Sequence, residues 1–238
     1  QYNGNITGTL WKTKGDGVNR QYDFVYDNVN RLLRGDFKQN NPDNSWNNTL
    51  VNYSMKMGDG ANHTLAYDEN SNIKRMQQWG LKINTSPQID DLAYTYDIAG
   101  LWSNRLVKVT DTYSDPATKL GDFKDAGNTG NDYSYDVNGN MNIDLNKNIF
   151  SPGIIPGPGI AYNHLNLPQN ILVDQKGSVE YVYDAAGNKH KKIVHENNKP
   201  DKTTLYIAGF VYEDDVLQFA GHEEGRIRPT PNGQQPTG

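Results

Sequence analysis

The stretch NDYSYDVNGNMNID, residues 131–144, contains the pattern that decides the fold. Its centre, YSYDVNG (133–139), places two Tyr two positions apart, then Asp, and then Gly four positions after the second Tyr. Alignment of the whole chain on that second Tyr brings seven similar segments into one frame. The aligned residues are Tyr26, Tyr67, Tyr96, Tyr135, Tyr162, Tyr183 and Tyr212. A recurring frame of this kind indicates that one short unit is repeated along the chain.

An apolar or aromatic residue stands two positions before each aligned Tyr. These residues are Phe24, Leu65, Tyr94, Tyr133, Ile160, Tyr181 and Phe210. Residues two apart lie on the same face of a β-strand. The pattern therefore predicts that a half-buried strand leads up to each Tyr.

The residues after each Tyr are typical of a turn. The next residue is Asp27, Asp68, Asp97, Asp136, Asn163, Asp184 or Glu213. Short carboxylate and amide side chains accept hydrogen bonds from backbone N–H groups two residues on. Four positions after the Tyr stand Asn30, Ser71, Gly100, Gly139, Asn166, Gly187 and Val216. Most of these are Gly or Asn, which tolerate positive φ, so we predict a type I turn with a G1 bulge and a returning strand.

These units predict an all-β fold of repeated antiparallel β-hairpins. The segment 70–83 is the best candidate for a short helix. The segment 150–159 holds three Pro and three Gly, which excludes an interior strand and indicates an excursion between units. We predict one repeat domain over residues 1–228 and a flexible tail or truncated linker over residues 229–238.

Composition excludes several classes of function. The net charge is −5 and no cluster of Lys and Arg is long, which argues against nucleic-acid binding. The absence of Cys excludes disulfides, thiolate metal sites and thiol nucleophiles. No stretch approaches the ~18 apolar residues of a membrane helix, so membrane insertion is not expected.

One alternative concerns the opening stretch itself. Asp136, Asn138, Asn140, Asn142 and Asp144 alternate as oxygen ligands do in an EF-hand loop. Met141 and Lys147 stand where that loop needs Gly and a bidentate Glu. Alternation within a strand also places such side chains on one face. A solvated hairpin edge is therefore favoured over a calcium loop.

No catalytic motif is evident, and no cofactor is expected. Glu223 and Glu224 are adjacent and would point to opposite faces of a strand, so they do not form an acid/base pair. The recurring Tyr are explained best by packing. Trp46, in NPDNSWNN (41–48), is the best exposed candidate for stacking against a sugar ring.

The quoted units resemble the YD repeats of Rhs (rearrangement hotspot) proteins. The segments YNGNITGTLWKT, YNHLNLPQNI and QFAGHEEGRIR resemble late repeats of such proteins from Bacteroidetes-like bacteria. The resemblance covers roughly residues 1–228. The family's Asp-Pro-x-Gly cleavage motif and core region are not found, so no catalytic residue is carried over.

The resemblance implies a secreted or cell-surface bacterial protein whose hairpins form a curved or spiralling sheet, part of a shell. Such a scaffold would enclose or present a C-terminal toxin or another partner. Its expected contacts are the remainder of a larger Rhs-type chain, or that toxin. Cell-wall-associated members suggest the alternative of a carbohydrate-binding or adhesion module. Exposed sheet edges add the hypothesis of a homodimer through edge strands.

Overall fold

A computed structural model describes residues 4–83, 85–97, 103–113, 121–153 and 156–229. The fold is all-β and its strands pair antiparallel, which confirms the predicted fold class. The chain separates into two compact units, Gln1–Asp132 and Tyr133–Gly238. Within the described residues, helices are at most four residues long, and none could span a membrane.

The first unit contains one eight-stranded sheet. Its strands are β1 (Gly8–Lys12), β2 (Asn19–Tyr26), β3 (Leu32–Asn40), β4 (Trp46–Asn47), β5 (Met55–Met57), β6 (Arg75–Trp79), β7 (Gln88–Tyr96) and β8 (Leu106–Asp111). The order is β1-β2-β3-β5-β6-β7-β8, and β4 pairs with part of β3. Neighbouring strands in the sheet are mostly neighbours in sequence, as repeated hairpins require.

The core of the first unit lies along β3, whose residues alternate between buried and half-buried. Leu33 on its buried face packs in a cluster with Met57, Ala66 and Tyr67. Phe37, also on this face, is 1% exposed and lies among the rings of Trp11, Tyr22 and Tyr53. A returning strand therefore supplies much of the buried face.

A short helix interrupts the repeat before Tyr67, and this corrects one prediction. Residues His63–Ala66 form α1, which begins at Asn62, where the side chain accepts a hydrogen bond from the N–H of Thr64. Leu65 therefore lies on a helix and is exposed, although the frame predicts a half-buried strand there. The segment 70–83, the best candidate for a short helix in the sequence, contains β6.

The second unit contains a separate eight-stranded sheet and two smaller pairs. The pairs are β9 (Tyr133–Tyr135) with β10 (Met141–Asp144), and β11 (Phe150–Ser151) with β12 (Gly157–Pro158). The sheet contains β13 (Ile160–Tyr162), β14 (Pro168–Val173), β15 (Gly177–Tyr183), β16 (Lys189–Glu196), β17 (Lys202–Ile207), β18 (Phe210–Glu213), β19 (Val216–His222) and β20 (Gly225–Ile227). Its strands follow one another in sequence order, and a 3₁₀ helix (Leu145–Lys147) follows β10.

The segment rich in Pro and Gly stays outside the eight-stranded sheet, where β11 and β12 pair with each other. The domain predicted over residues 1–228 stays a prediction alongside the two compact units. Of the tail predicted over residues 229–238, all but the first residue lies outside the described residues.

Candidate functional site: the Tyr-Asp turns

Five of the seven units have the same hydrogen-bonded turn. In each, the N–H after the Tyr donates to the carbonyl four residues on. These bonds join Asp27 to Arg31 (2.9 Å), Asp68 to Asn72 (3.0 Å), Asp136 to Asn140 (2.9 Å), Asn163 to Leu167 (2.9 Å) and Asp184 to Asn188 (3.0 Å). The residue four after the Tyr has positive φ in all five: Asn30 (70°), Ser71 (69°), Gly139 (85°), Asn166 (57°) and Gly187 (87°). The predicted turn is confirmed at these positions.

The side chain after the Tyr, Asp in four turns and Asn163 in the fifth, accepts hydrogen bonds from the backbone N–H groups of its own turn. In the opening stretch, Oδ1 of Asp136 accepts hydrogen bonds from the N–H groups of Asn138 (2.9 Å) and Asn140 (2.8 Å). Its Oδ2 accepts a third bond from the Asn140 side chain (2.9 Å). The side-chain bond from Asn140 lowers the pKa of Asp136, and the backbone bonds lower it further. The carboxylate is therefore used as a structural acceptor.

The residue five positions after the Tyr also stabilises the turn, which the sequence analysis did not predict. In four turns the side chain of this residue donates a hydrogen bond to Oδ2 of the Asp in the same turn. The donors are Arg31 (2.7 Å to Asp27), Asn72 (2.8 Å to Asp68), Asn140 (2.9 Å to Asp136) and Asn188 (2.9 Å to Asp184). The side-chain and backbone bonds from Asn188 lower the pKa of Asp184 to about 2. The recurrence of Asn directly after the turn Gly was the available signal.

Five of the seven aligned Tyr connect their hairpin to the preceding one within the same compact unit. In these five the hydroxyl donates to a main-chain carbonyl: Tyr26 to Ile6 (2.9 Å), Tyr67 to Leu32 (2.5 Å), Tyr96 to Ile73 (3.0 Å), Tyr162 to Met141 (2.6 Å) and Tyr183 to Pro168 (3.1 Å). Four of the acceptors are the residues paired across the strands with the preceding Tyr of the frame. These pairs are Leu32 with Tyr26, Ile73 with Tyr67, Met141 with Tyr135 and Pro168 with Tyr162. The repeated pattern therefore encodes the contacts between neighbouring hairpins as well as the turn within each hairpin.

Adjacent turns also touch through their side chains. Arg31 donates to the hydroxyl of Ser71 in the next turn (3.1 Å). In the second unit, Asn138 and Asn140 each donate to Oδ1 of Asn166 (3.0 Å for both). The turns accordingly lie side by side within each compact unit.

Residues 4–6 match the second half of a turn. Gly4 has φ of 83°, and the Asn5 amide donates to Oδ1 of Asn30 (3.0 Å), as Asn140 does to Asn166. The carbonyl of Ile6 accepts the Tyr26 hydroxyl in the same way that Leu32 accepts Tyr67. β1 is therefore a returning strand in the frame, and its outer edge is unpaired within the described residues.

Two units depart from the predicted turn. At Tyr96, the N–H of Asp97 donates to the carbonyl of Arg105, so this loop is longer than the others, and Gly100 lies outside the described residues. At Tyr212, Glu213 pairs directly with Val216 across a two-residue turn. Both residues of that turn, Asp214 and Asp215, have positive φ, as a type I′ turn requires. The turn predicted with Val216 at its end is therefore wrong.

An additional turn of the common kind lacks the Tyr. The N–H of Asn41 donates to the carbonyl of Ser45 (2.9 Å), and Asn44 has φ of 63°. This turn leads into β4, so Trp46 lies on a short strand rather than in a loop. The Trp46 side chain is 40% exposed, as the sequence indicates.

The alternating residues of the opening stretch do not converge on one point. Asp136 lies in the turn, whereas Asp144 pairs with Tyr133 at the other end of β10 and accepts from the N–H of Lys147 (3.1 Å). Asn142 Oδ1 accepts a bond from Ser134 (2.6 Å). These oxygens are hydrogen-bonded within the hairpin, which supports the turn over a calcium loop.

Comparison with protein-family models gives no match, and comparison with curated proteins gives none either. The assignment to the Rhs/YD family therefore stays a prediction that rests on the motifs.

Proposed function

We propose that this chain is a non-enzymatic repeat scaffold of the Rhs/YD type, secreted or on the bacterial cell surface, that forms part of a shell around a toxin or another partner. The observation that supports this proposal most directly is the set of hydrogen bonds from the Tyr hydroxyls to the carbonyls of the preceding hairpins. Each of these bonds joins a hairpin to its neighbour, and repeat proteins extend a surface through such contacts between neighbouring repeats. The carboxylates of the turns accept hydrogen bonds from backbone and side-chain donors, so their proposed role is to stabilise the repeat and not to act in catalysis.

The proposed partner for the edge of β1 is another strand of the same repeat. Gly4, Asn5 and Ile6 already occupy the positions that follow a Tyr-Asp turn. The matching strand would end in aromatic-x-Tyr-Asp and pair with β1. It would come from the remainder of a larger chain or from a second copy of this one, which would give the edge-strand homodimer.

A graft tests this proposal. Residues 177–186, the first half of the unit that contains Tyr183, would replace residues 1–3 directly before Gly4. We expect the graft to raise the stability of the first unit by about 1–3 kcal/mol, because it adds a strand and its cross-strand pairs. Urea unfolding monitored by Trp fluorescence measures this, because all four Trp lie within residues 1–132.

The control graft carries Ala at the positions of Tyr183 and Asp184. If both grafts change stability equally, the edge of β1 does not recognise the repeat.

Light scattering over a concentration series tests the homodimer. We expect the ungrafted chain to dimerise and the graft to stay monomeric, whereas a monomeric mass for the ungrafted chain at every concentration would contradict the homodimer.

A second candidate, a carbohydrate-binding module, is favoured by the exposed Trp46 and by a cleft that its cross-strand partner Asn40 lines. Asn40 is the cross-strand partner of Trp46, so the two side chains lie on one face. Within the described residues, Oδ1 of Asn40 and Oε1 of Gln39 are buried and accept no hydrogen bond. Both residues line an open cleft with Asn19 and Leu50. A sugar hydroxyl could donate to Oδ1 of Asn40 while the sugar ring stacks on the indole.

A glycan array with and without calcium tests this candidate. We expect the wild-type protein to retain a glycan and Trp46→Ala to lose it, because the variant removes the stacking surface. Tyr113→Ala, which changes an exposed aromatic residue outside the cleft, should bind as the wild type does. An array without any wild-type signal would exclude the candidate.

A further inference from the structure

Three aspartates that are distant in sequence meet at one end of the first sheet. Asp90 lies on β7, Asp111 ends β8, and Asp122 belongs to the segment that follows. Asp111 pairs with Leu92, so Asp90, two residues earlier on β7, is its diagonal neighbour on the same face. One carboxylate oxygen from each of the three residues lies within 4.8 Å of the other two.

Two of the three aspartates are buried, and the hydrogen bonding of the third, Asp111, is incomplete. Asp90 is 2% exposed, and the side chain of Asp122 is 1% exposed. Oδ1 of Asp111 accepts from the N–H groups of Asp91 and Tyr113 (2.9 Å each). Oδ2 of Asp111 is buried and has no hydrogen-bond partner in the part of the chain that the structure describes. A buried carboxylate oxygen without a partner destabilises a protein unless something else binds it.

The other contacts show how the charges are arranged. Oδ1 of Asp90 accepts from the N–H of Phe123 (2.7 Å), and Lys124 forms an ion pair with Oδ2 of Asp122. Three carboxylates thus face one another, and the Lys124 ammonium contacts one of them, Asp122. The cluster therefore favours binding of positive charge.

We propose that Asp90, Asp111 and Asp122 bind a calcium ion. Calcium takes oxygen ligands at about 2.3–2.6 Å, so two oxygens on opposite sides of it are about 4.6–5.2 Å apart. The three oxygens lie within 4.8 Å of one another, which is close enough for all of them to contact one such ion. Magnesium requires about 2.0–2.1 Å and a tighter octahedron. Water and main-chain carbonyls would complete the calcium coordination.

The ion would fasten the segment after β8 to the sheet. That segment already contacts the strands, because Phe123 donates to Asp90 and the N–H of Asp111 donates to Asp125 (3.1 Å). A cation shared by β7, β8 and Asp122 would add a cross-link that is absent from the unfolded chain. Binding should therefore raise the melting temperature of the first unit.

Isothermal titration of the EDTA-treated protein with calcium chloride tests the proposal. We expect one site with a dissociation constant on the order of 10⁻⁴ to 10⁻³ M, and weaker binding of magnesium. Asp111→Asn keeps the shape of the side chain and removes charge, so it should weaken calcium binding about tenfold or more. Lys124→Gln removes the competing ammonium and should strengthen binding, a direction that simple destabilisation would not produce.

Asp136→Asn is the matched control, because it changes an acidic turn in the other compact unit. Its calcium affinity should equal that of the wild type. Circular dichroism in EDTA confirms that each variant is folded. No calcium binding by the wild type up to about 10 mM, unchanged affinity in Asp111→Asn, or loss of binding in Asp136→Asn would each overturn the proposal.

Discussion

Replacing Phe37 by Ala should destabilise the first unit by about 3–5 kcal/mol, because this side chain is 1% exposed and its removal leaves a cavity. The ring packs edge-on against Tyr22 (5.5 Å between centroids) and Tyr53 (5.3 Å), which adds specific aromatic contacts. Urea unfolding monitored by Trp fluorescence reports the loss. Typical domains have only about 5–15 kcal/mol of stability, so this variant is expected to be marginally folded.

Leu10→Ala is the control for Phe37→Ala in the same unit. Leu10 lies on β1 and is 68% exposed, so its loss should change stability by about 0.5 kcal/mol or less. Equal effects of the two substitutions would show that β3 does not bury the face described above.

Gly177→Ala should destabilise the second unit by about 2–5 kcal/mol. Gly177 begins β15 with φ of 135°, a conformation that side chains rarely adopt, and it pairs with Glu196. A Cβ atom there would lie 1.8 Å from the carbonyl oxygen of His195, so β15 and β16 would have to separate. Thermal unfolding monitored by far-UV circular dichroism measures the effect.

Gly209→Ala separates the two causes. Gly209 also has positive φ (87°), but a Cβ there meets nothing within 4 Å. It should destabilise by only about 1–2 kcal/mol, the penalty of the backbone conformation alone. If Gly177→Ala is no more destabilising than Gly209→Ala, the register between β15 and β16 is incorrect.

The sequence predicts the turns well because their chemistry is local. Asp136 needs only its own next four residues to form the turn, and Gly139 needs only its own φ. The structure differs from the predicted hairpin unit where the local sequence favours another turn or a helix. Asp214 and Asp215 form a two-residue turn, and His63–Ala66 form a helix with its own cap at Asn62.

Alignment on Tyr also overlooks the local turn at Asn41, which has the same backbone hydrogen bonds without a Tyr. Features that depend on distant residues could not be predicted. The Tyr67 bond to Leu32 requires knowledge of which hairpins are neighbours. The cluster of Asp90, Asp111 and Asp122 depends on strand register and on the path of the segment after β8, neither of which follows from spacing.

Amide hydrogen exchange measured by NMR tests the repeated turn most directly. In each of the five common turns, the N–H groups one and four positions after the Tyr are bonded to carbonyls. We expect these ten amides to be protected, and the amides two positions after the Tyr, such as Asn28 and Val137, to exchange quickly. The same contrast in all five turns would support one copied unit. Protection that differs from turn to turn, or fast exchange at Asn30, Ser71, Gly139, Asn166 and Gly187, would contradict it.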